Sequence, residues 1–238
     1  MKMDDRRSVI KEIGPFMKTP IVSISGESGV GKTTLAQQLV GSLIGQTEKT
    51  CIWIQASERF SKTRFKTLFP KCYPKLLEEF FIAPSYGIFQ SFGEQSEFFK
   101  RLHQGEMMLP PNAKYLVIDN ISHHLRYEVL REKNIESISE TLNRFFEELL
   151  SPLLFFCQIR SIFLILIHEI TYNPKKDQNE KFYNKLYSRL KSTEIILEKE
   201  GNSDKKRLIL QVKECRMRFQ YEISPQGIVI KNSSSHLP

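Results

Sequence analysis

Residues 21–40 read IVSISGESGVGKTTLAQQLV. An apolar, β-rich run gives way to a glycine loop and then to residues that favour a helix. Gly26, Gly31, Lys32 and Thr33 satisfy the pattern G-x-x-x-x-G-K-[ST], and they stand between strand and helix, the context its mechanism needs. Glycines let the backbone wrap phosphates, whose charge is met by N–H groups and the helix N-terminus. The spacing therefore predicts a site for ATP and Mg²⁺ over Gly26, Glu27, Ser28, Gly29, Val30, Gly31, Lys32, Thr33 and Thr34. Lys32 would reach the β- and γ-phosphates, and the Thr33 hydroxyl would ligate Mg²⁺. A plain strand-to-helix turn is the competing reading.

Outward from the loop, strands and helices alternate. TCIWIQA (50–56) reads as a buried strand, SKTRFKTLFP as a basic helix followed by a loop, and EFFIAP (79–84) as a short strand. SFGEQSEFFKRLHQG (91–105) has a Ser cap, Glu94 three residues later and apolar positions at helical spacing. KYLVIDNI (114–121) is a strand, SISETLNRFFEELLSPLLFFCQI (137–159) a helix kinked near Pro152, and SIFLILIHEI (161–170) a strand. This alternation predicts an α/β fold with a mostly parallel sheet flanked by helices. The end differs: TEIILEK, EGNSD and KKRLILQVKEC read as an antiparallel β-hairpin, and FQYEISPQGIVI as a further strand pair. The expected division is a leader over 1–20, one ATPase core over 21–231 and a polar tail over 232–238. Asp119 closes an apolar strand, where a carboxylate is expected to hold the Mg²⁺ shell; a helix cap is the alternative.

Lys and Arg number 35 against 27 Asp and Glu, for a pI near 9.2. The excess fits a polyanionic partner, or simply a solubilising surface. Cys51, Cys72, Cys157 and Cys215 show no Cys-x-x-Cys pair, which argues against a zinc site or a disulfide scaffold and for a reduced compartment. The N-terminus has no apolar signal core. LLSPLLFFCQIRSIFLILI is broken by Pro152, Gln158 and Arg160, so it reads as a buried helix and strand rather than a membrane span. The expectation is a soluble, cytoplasmic, nucleoid-associated chain with no membrane partner. Asn120-Ile-Ser122 matches the glycosylation triplet by chance.

Together, several segments resemble the RecA/RadA recombinase superfamily, and within it the short archaeal RadB-type paralogues. The resemblance runs from about Ile21 to Ile230. It rests on the phosphate loop, SFGEQSEFFKRL, VIDNISHHLRYE, LNRFFEELL before ILIHEI, and the closing strands. It implies a RecA-like ATPase core that contacts single-stranded DNA through two loops, one after the Asp119 strand and one after ILIHEI. Arg126 falls in the first. The second, TYNPKKDQNEKFYNKLYSRLK, carries Lys175, Lys176, Lys181, Lys185 and Arg189, with Tyr172, Phe182, Tyr183 and Tyr187 interleaved. Cations on phosphates and aromatics on bases suit single strands; an ordinary charged loop before an amphipathic helix is the alternative. The family stacks adenine on an Arg after the second strand, where Arg64 stands, and cation–π attraction would justify it.

The chain departs from that pattern where water is activated and the γ-phosphate is sensed. The family's catalytic Glu aligns with Ser57, and the nearest acid, Glu58, follows one residue later. In an extended chain the two would point to opposite faces; a bulge or early turn would bring Glu58 back. The family's sensing Gln aligns with Glu169, preceded by His168, and a carboxylate there repels the γ-phosphate unless protonated or bridged by a cation. Lys32, Glu58 and Glu169 are thus the candidate catalytic groups, and Thr33 and Asp119 the candidate metal ligands. The expectation is firm ATP binding with slow hydrolysis. The leader's FMKT (16–19) lacks the Ala of the family's subunit-docking Phe-x-x-Ala, so a homodimer, or a cap on a RadA-type recombinase filament, is expected over a long filament of its own. The alternatives are a signalling or clock-type ATPase of the same superfamily that acts on a protein partner, and a small-molecule kinase, for which no Arg-rich lid is found.

Overall fold

A computed structural model describes residues 9–17, 19–45, 47–174, 177–199 and 205–234. Helix α1 (Val9–Ile13) and a 3₁₀ turn (Gly14–Phe16) precede β1 (Ile21–Gly26), α2 (Lys32–Ile44), β2 (Thr50–Gln55), α3 (Lys62–Leu68), α4 (Tyr73–Glu78) and β3 (Phe80–Ala83). Then come α5 (Phe92–His103), β4 (Ala113–Asp119), α6 (His123–Val129), α7 (Ile135–Arg144), a π-helical turn (Phe145–Leu150), α8 (Ser151–Ile159) and β5 (Phe163–Asn173). The chain closes with β6 (Gln178–Lys181), α9 (Asn184–Tyr187), β7 (Thr193–Lys199), β8 (Lys206–Val212), β9 (Cys215–Ser224) and β10 (Gly227–Ser234).

The main sheet runs β10-β9-β8-β7-β1-β5-β4-β2-β3, with β6 paired to β5 off this path. Pairings from β3 across to β7 are parallel, and those from β7 to β10 antiparallel. The central strands are apolar on both faces because helices cover both. Side chains alternate between two cores: Trp53, Val117, Ile165 and Ile167 join α2 on one face, while Ile54, Ile118, Leu164 and Leu166 join α5 and α8 on the other.

Local chemistry sets the helix starts. Ser61, Ser91 and Asn134 each accept the backbone N–H three residues on, those of Arg64, Glu94 and Ser137. The expected kink near Pro152 takes the form of a π turn just before it. Pro152 brings no N–H for the carbonyl four residues back, and the wide turn absorbs the mismatch.

Four expectations about organisation need revision. The leader is partly built into the fold: Val9 and Ile13 are fully buried and Phe16 packs against the same core. A helix, α4, occupies part of the loop expected after SKTRFKTLFP. Strand β5 runs on to Asn173 and folds back as β6, so the segment after ILIHEI is a β-hairpin where a loop was expected. Backbone pairing of β10 continues to Ser234, past the expected start of the tail. Among the described residues no helix is long and apolar enough to cross a membrane.

Candidate functional site

The C-terminal ends of β1, β2, β4 and β5 meet at one edge of the sheet, where open α/β sheets bind ligands. Register fixes the relation: Gly26 stands beside Glu169 on one side and Leu197 on the other, and Gln55 beside Asp119. Because β5 lies between β1 and β4, Glu169 sits between the phosphate loop and Asp119.

Gly26 has no room for a side chain, since a Cβ there would lie 2.4 Å from the Leu197 carbonyl oxygen. Gly31, at φ 95°, supplies the left-handed turn that starts α2. The Lys32 ammonium donates to the carbonyls of Gly26 (2.9 Å) and Glu27 (2.7 Å), bridging the loop where phosphate oxygens would take over. The Thr33 hydroxyl donates to the Asp119 carboxylate at 2.8 Å. A hydroxyl and a carboxylate already in register form a hard oxygen pair suited to Mg²⁺.

Burial is the main influence on both charges. It pushes the Asp119 carboxyl up to about 7; Glu58 and Glu169 reinforce this, while the Thr33 hydrogen bond and Lys32 oppose it. Burial likewise lowers the Lys32 ammonium, and Glu169, Asp119, Glu58 and Glu27 pull it back. A metal and a polyphosphate would relieve both groups at once.

The surrounding pocket has a volume of about 630 Å³ and gathers groups from distant segments: the phosphate loop, Ser57, Glu58, Arg64, Asp119, Arg126, Glu169, Phe182 and Ile223. Arg64 donates to the Ser224 carbonyl at 2.9 Å, so α3 and the β9–β10 hairpin close one end. Val30 differs from its neighbours in the loop: its side chain is fully buried, and its carbonyl accepts the Tyr221 hydroxyl at 2.8 Å.

Glu58 does reach the pocket. Strand β2 stops at Gln55, and the N–H groups of Ala56 and Ser57 both donate to the Asp119 carbonyl, at 2.7 and 3.1 Å. That bend over 56–58 turns Ser57 and Glu58 to the same cavity. The Ser57 hydroxyl also accepts the Asn120 N–H at 3.2 Å.

Arg126, expected on a DNA loop, lies in the nucleotide pocket. Its guanidinium is 3.7 Å from the Glu169 carboxylate and 4.5 Å from the centre of the Phe182 ring. The other expected DNA groups divide. Lys175 and Lys176 lie outside the described residues. Lys181 is drawn inward, its side chain 10% exposed and paired with Glu194 at 2.6 Å, which removes it from a nucleic-acid face. Lys185 and Arg189 are exposed, and Arg189 lies over Phe146 at 4.9 Å. Tyr187 belongs to the core: it is 1% exposed, accepts from the Ser122 hydroxyl at 3.1 Å and packs edge-on to His168. Tyr172 remains exposed and bonds Asp177. His124 is buried with Nε2 at the Ala56 carbonyl, and the Asn120 side chain is turned back onto the Ser122 N–H, closed to glycosylation.

Sequence reading does not place Ile223, whose Cδ1 would lie 3.0 Å from a Cβ at Gly31, or Phe182 in the pocket lining, nor Asn179 beside it, whose amide donates to the Glu27 carboxylate at 3.2 Å. Ile223 stands in the closing stretch that carried the resemblance. No local pattern marks the other two, because the β5–β6 hairpin brings them in.

The crystal structure of the RadB recombinase superposes with a TM-score of 0.67, covering 96% of this chain and 98% of that one at 21% identity. The chain has a RecA-like fold. Residues 6–79, which hold the phosphate loop, match the model of the NB-ARC domain. No curated protein matches. Ser57 and Glu169 both line the pocket at the edge of this sheet.

Proposed function

We propose that this chain binds ATP·Mg²⁺ in the pocket and single-stranded DNA beside it, and that it assists or regulates a RadA-type recombinase as a RadB-like auxiliary. The observation that carries the reading is the β5–β6 hairpin. Its Asn179 bonds Glu27 of the phosphate loop, the Phe182 N–H donates to the Glu169 carbonyl, and the Phe182 ring lies against Arg126. A segment so tied to the phosphate end responds to whether a nucleotide fills it. Exposed Lys185 and Arg189 follow directly in the chain, giving the hairpin a basic neighbour for a phosphate backbone. The overall excess of positive charge and the RecA-like fold support the same partner.

In this reading Thr33 and Asp119 would hold Mg²⁺, which would supply positive charge against the phosphates. Lys32 exchanges the Gly26 and Glu27 carbonyls for phosphate oxygens. Arg64, at the end of the pocket closed by the β9–β10 hairpin, is the group expected to stack on the base. Glu58 is the candidate to orient a water; it is exposed and lacks a hydrogen bond among the described residues, so hydrolysis is slow. The nucleotide acts more as a clamp on the hairpin than as fuel.

The test is ATP binding and turnover by the purified protein, with and without single-stranded DNA, alongside Lys32→Ala. Firm binding, low turnover and loss of both in the variant are expected. Brisk DNA-stimulated turnover would overturn the clamp. Nucleotide binding without DNA binding at low salt would favour an ATPase that acts on a protein partner.

A further inference from the structure

We propose that Arg126 is the chain's own contact to the terminal phosphate, and that it makes the pocket prefer a nucleoside triphosphate over a diphosphate. The inference rests on the pocket being a nucleotide site.

Glu169 lies within β5 beside Gly26, and its carboxylate faces the space between the phosphate loop and Asp119. Glu58 and Asp119 share that space. A terminal phosphate entering there would meet several carboxylates, with Lys32 the cation on the phosphate-loop side. Mg²⁺ held by Thr33 and Asp119 would offset one side. The Glu169 side needs a cation of its own, and the structure supplies one: Arg126, 3.7 Å from Glu169 and lining the same pocket.

Its present bonds suit it to exchange. The ion pair is long, and both side chains are more than a third exposed, at 43% and 37%; such pairs are weak. A guanidinium presents a planar fork that matches phosphate oxygens, and it can bond a carboxylate through one edge while meeting phosphate through the other. Phe182 underneath, at 4.5 Å from the guanidinium carbon, holds the plane of the group without consuming its donors. Arg126 thus bridges Glu169 to the terminal phosphate and turns a repulsive carboxylate into its anchor. A diphosphate ends before this position and gains nothing from it.

The experiment measures dissociation constants for Mg²⁺·ADP and for a Mg²⁺-bound non-hydrolysable ATP analogue. It compares the unaltered chain with Arg126→Ala, Arg126→Lys, Glu169→Gln and the double variant R126A/E169Q, each checked for folding by circular dichroism. R126A is expected to weaken the triphosphate analogue about tenfold or more while leaving ADP within about twofold. R126K should recover only part of the loss, because an ammonium lacks the fork. In the E169Q background the loss from R126A should shrink, since there is no longer a carboxylate to shield. Equal losses for both nucleotides, no loss for either, or a loss unchanged by E169Q would overturn the proposal while leaving nucleotide binding intact. If the unaltered chain binds neither nucleotide, the functional reading itself falls, and this inference with it.

Discussion

The two halves of the pocket are built differently. The binding half, from Gly26 to Thr34 with Asp119, is one contiguous loop and one strand end, packed on the core and joined by the short Thr33–Asp119 bond. The other half, Glu58, Arg126, Glu169 and Phe182, is gathered from a bend, a helix, the middle of a strand and a hairpin. Its Arg126–Glu169 pair is long and partly exposed. A contiguous half anchored on the core by Gly26, Val30 and Asp119 fixes a ligand; a scattered, weakly bonded half can rearrange when one arrives. Changes in the first should therefore cost folding or binding outright, and changes in the second should alter only the response to the ligand.

The sharpest way to break that contrast is Gly26→Ala. A methyl 2.4 Å from a backbone carbonyl oxygen has nowhere to go, and forcing it in should cost about 3 kcal/mol or more. Chemical denaturation should show a large fall in stability without nucleotide; a variant as stable as its parent would mean the loop is looser than described. Next comes Lys32→Ala, which removes charge-assisted phosphate bonds and should weaken ATP about 10- to 100-fold by calorimetry, with the fold unchanged.

Asp119 gives a pH signature. Its folded value, about 7, lies above its ordinary 3.8, so between those values the folded chain holds a proton that the unfolded chain has released. The contribution of this group to the stability of the nucleotide-free chain falls as pH rises from about 4 to about 7, and levels off beyond. Asp119→Asn should therefore melt higher than its parent at pH 8, with the gap closing toward pH 4, yet lose the stabilisation that Mg²⁺·ATP gives. The sign rests on buried desolvation, the first cause of the shift; a lower melting point at pH 8 would contradict it.

The smallest effects belong to the hairpin's neighbourhood. Lys185→Ala with Arg189→Ala should leave ATP binding unchanged. It should also make the fall of single-strand affinity with salt shallower, by about 0.7 in the log–log slope for each phosphate that is no longer neutralised. Tyr187→Phe, which removes the hydroxyl that accepts from Ser122, should cost only about 1 kcal/mol of stability.

The same division explains what was legible beforehand. The phosphate loop, Asp119 and the parallel sheet could be read because each rests on a run of adjacent residues, with a continuous apolar stretch or a fixed spacing. The bend that rescues Glu58 could be framed only as one option, since it depends on the Asp119 carbonyl taking the N–H groups of Ala56 and Ser57. Arg126 was assigned to DNA because its stretch follows Asp119, and its turn into the pocket depends on Glu169 and Phe182, which lie far along the chain. Lys181 and Tyr187 looked like a basic and an aromatic member of a DNA loop. Glu194 and His168, invisible to a local pattern, pull them into the fold. The leader was set aside for its charge, though Val9 and Ile13 have the spacing of a buried helical face.

The measurement that bears most directly on the account is single-stranded DNA affinity at fixed low salt, with no nucleotide, with Mg²⁺·ADP and with a Mg²⁺-bound non-hydrolysable ATP analogue. Binding that is tightest with the triphosphate analogue, and that loses this gain in Arg126→Ala, is the predicted result. DNA affinity that is absent, or the same in all three states, would contradict a hairpin governed by the nucleotide.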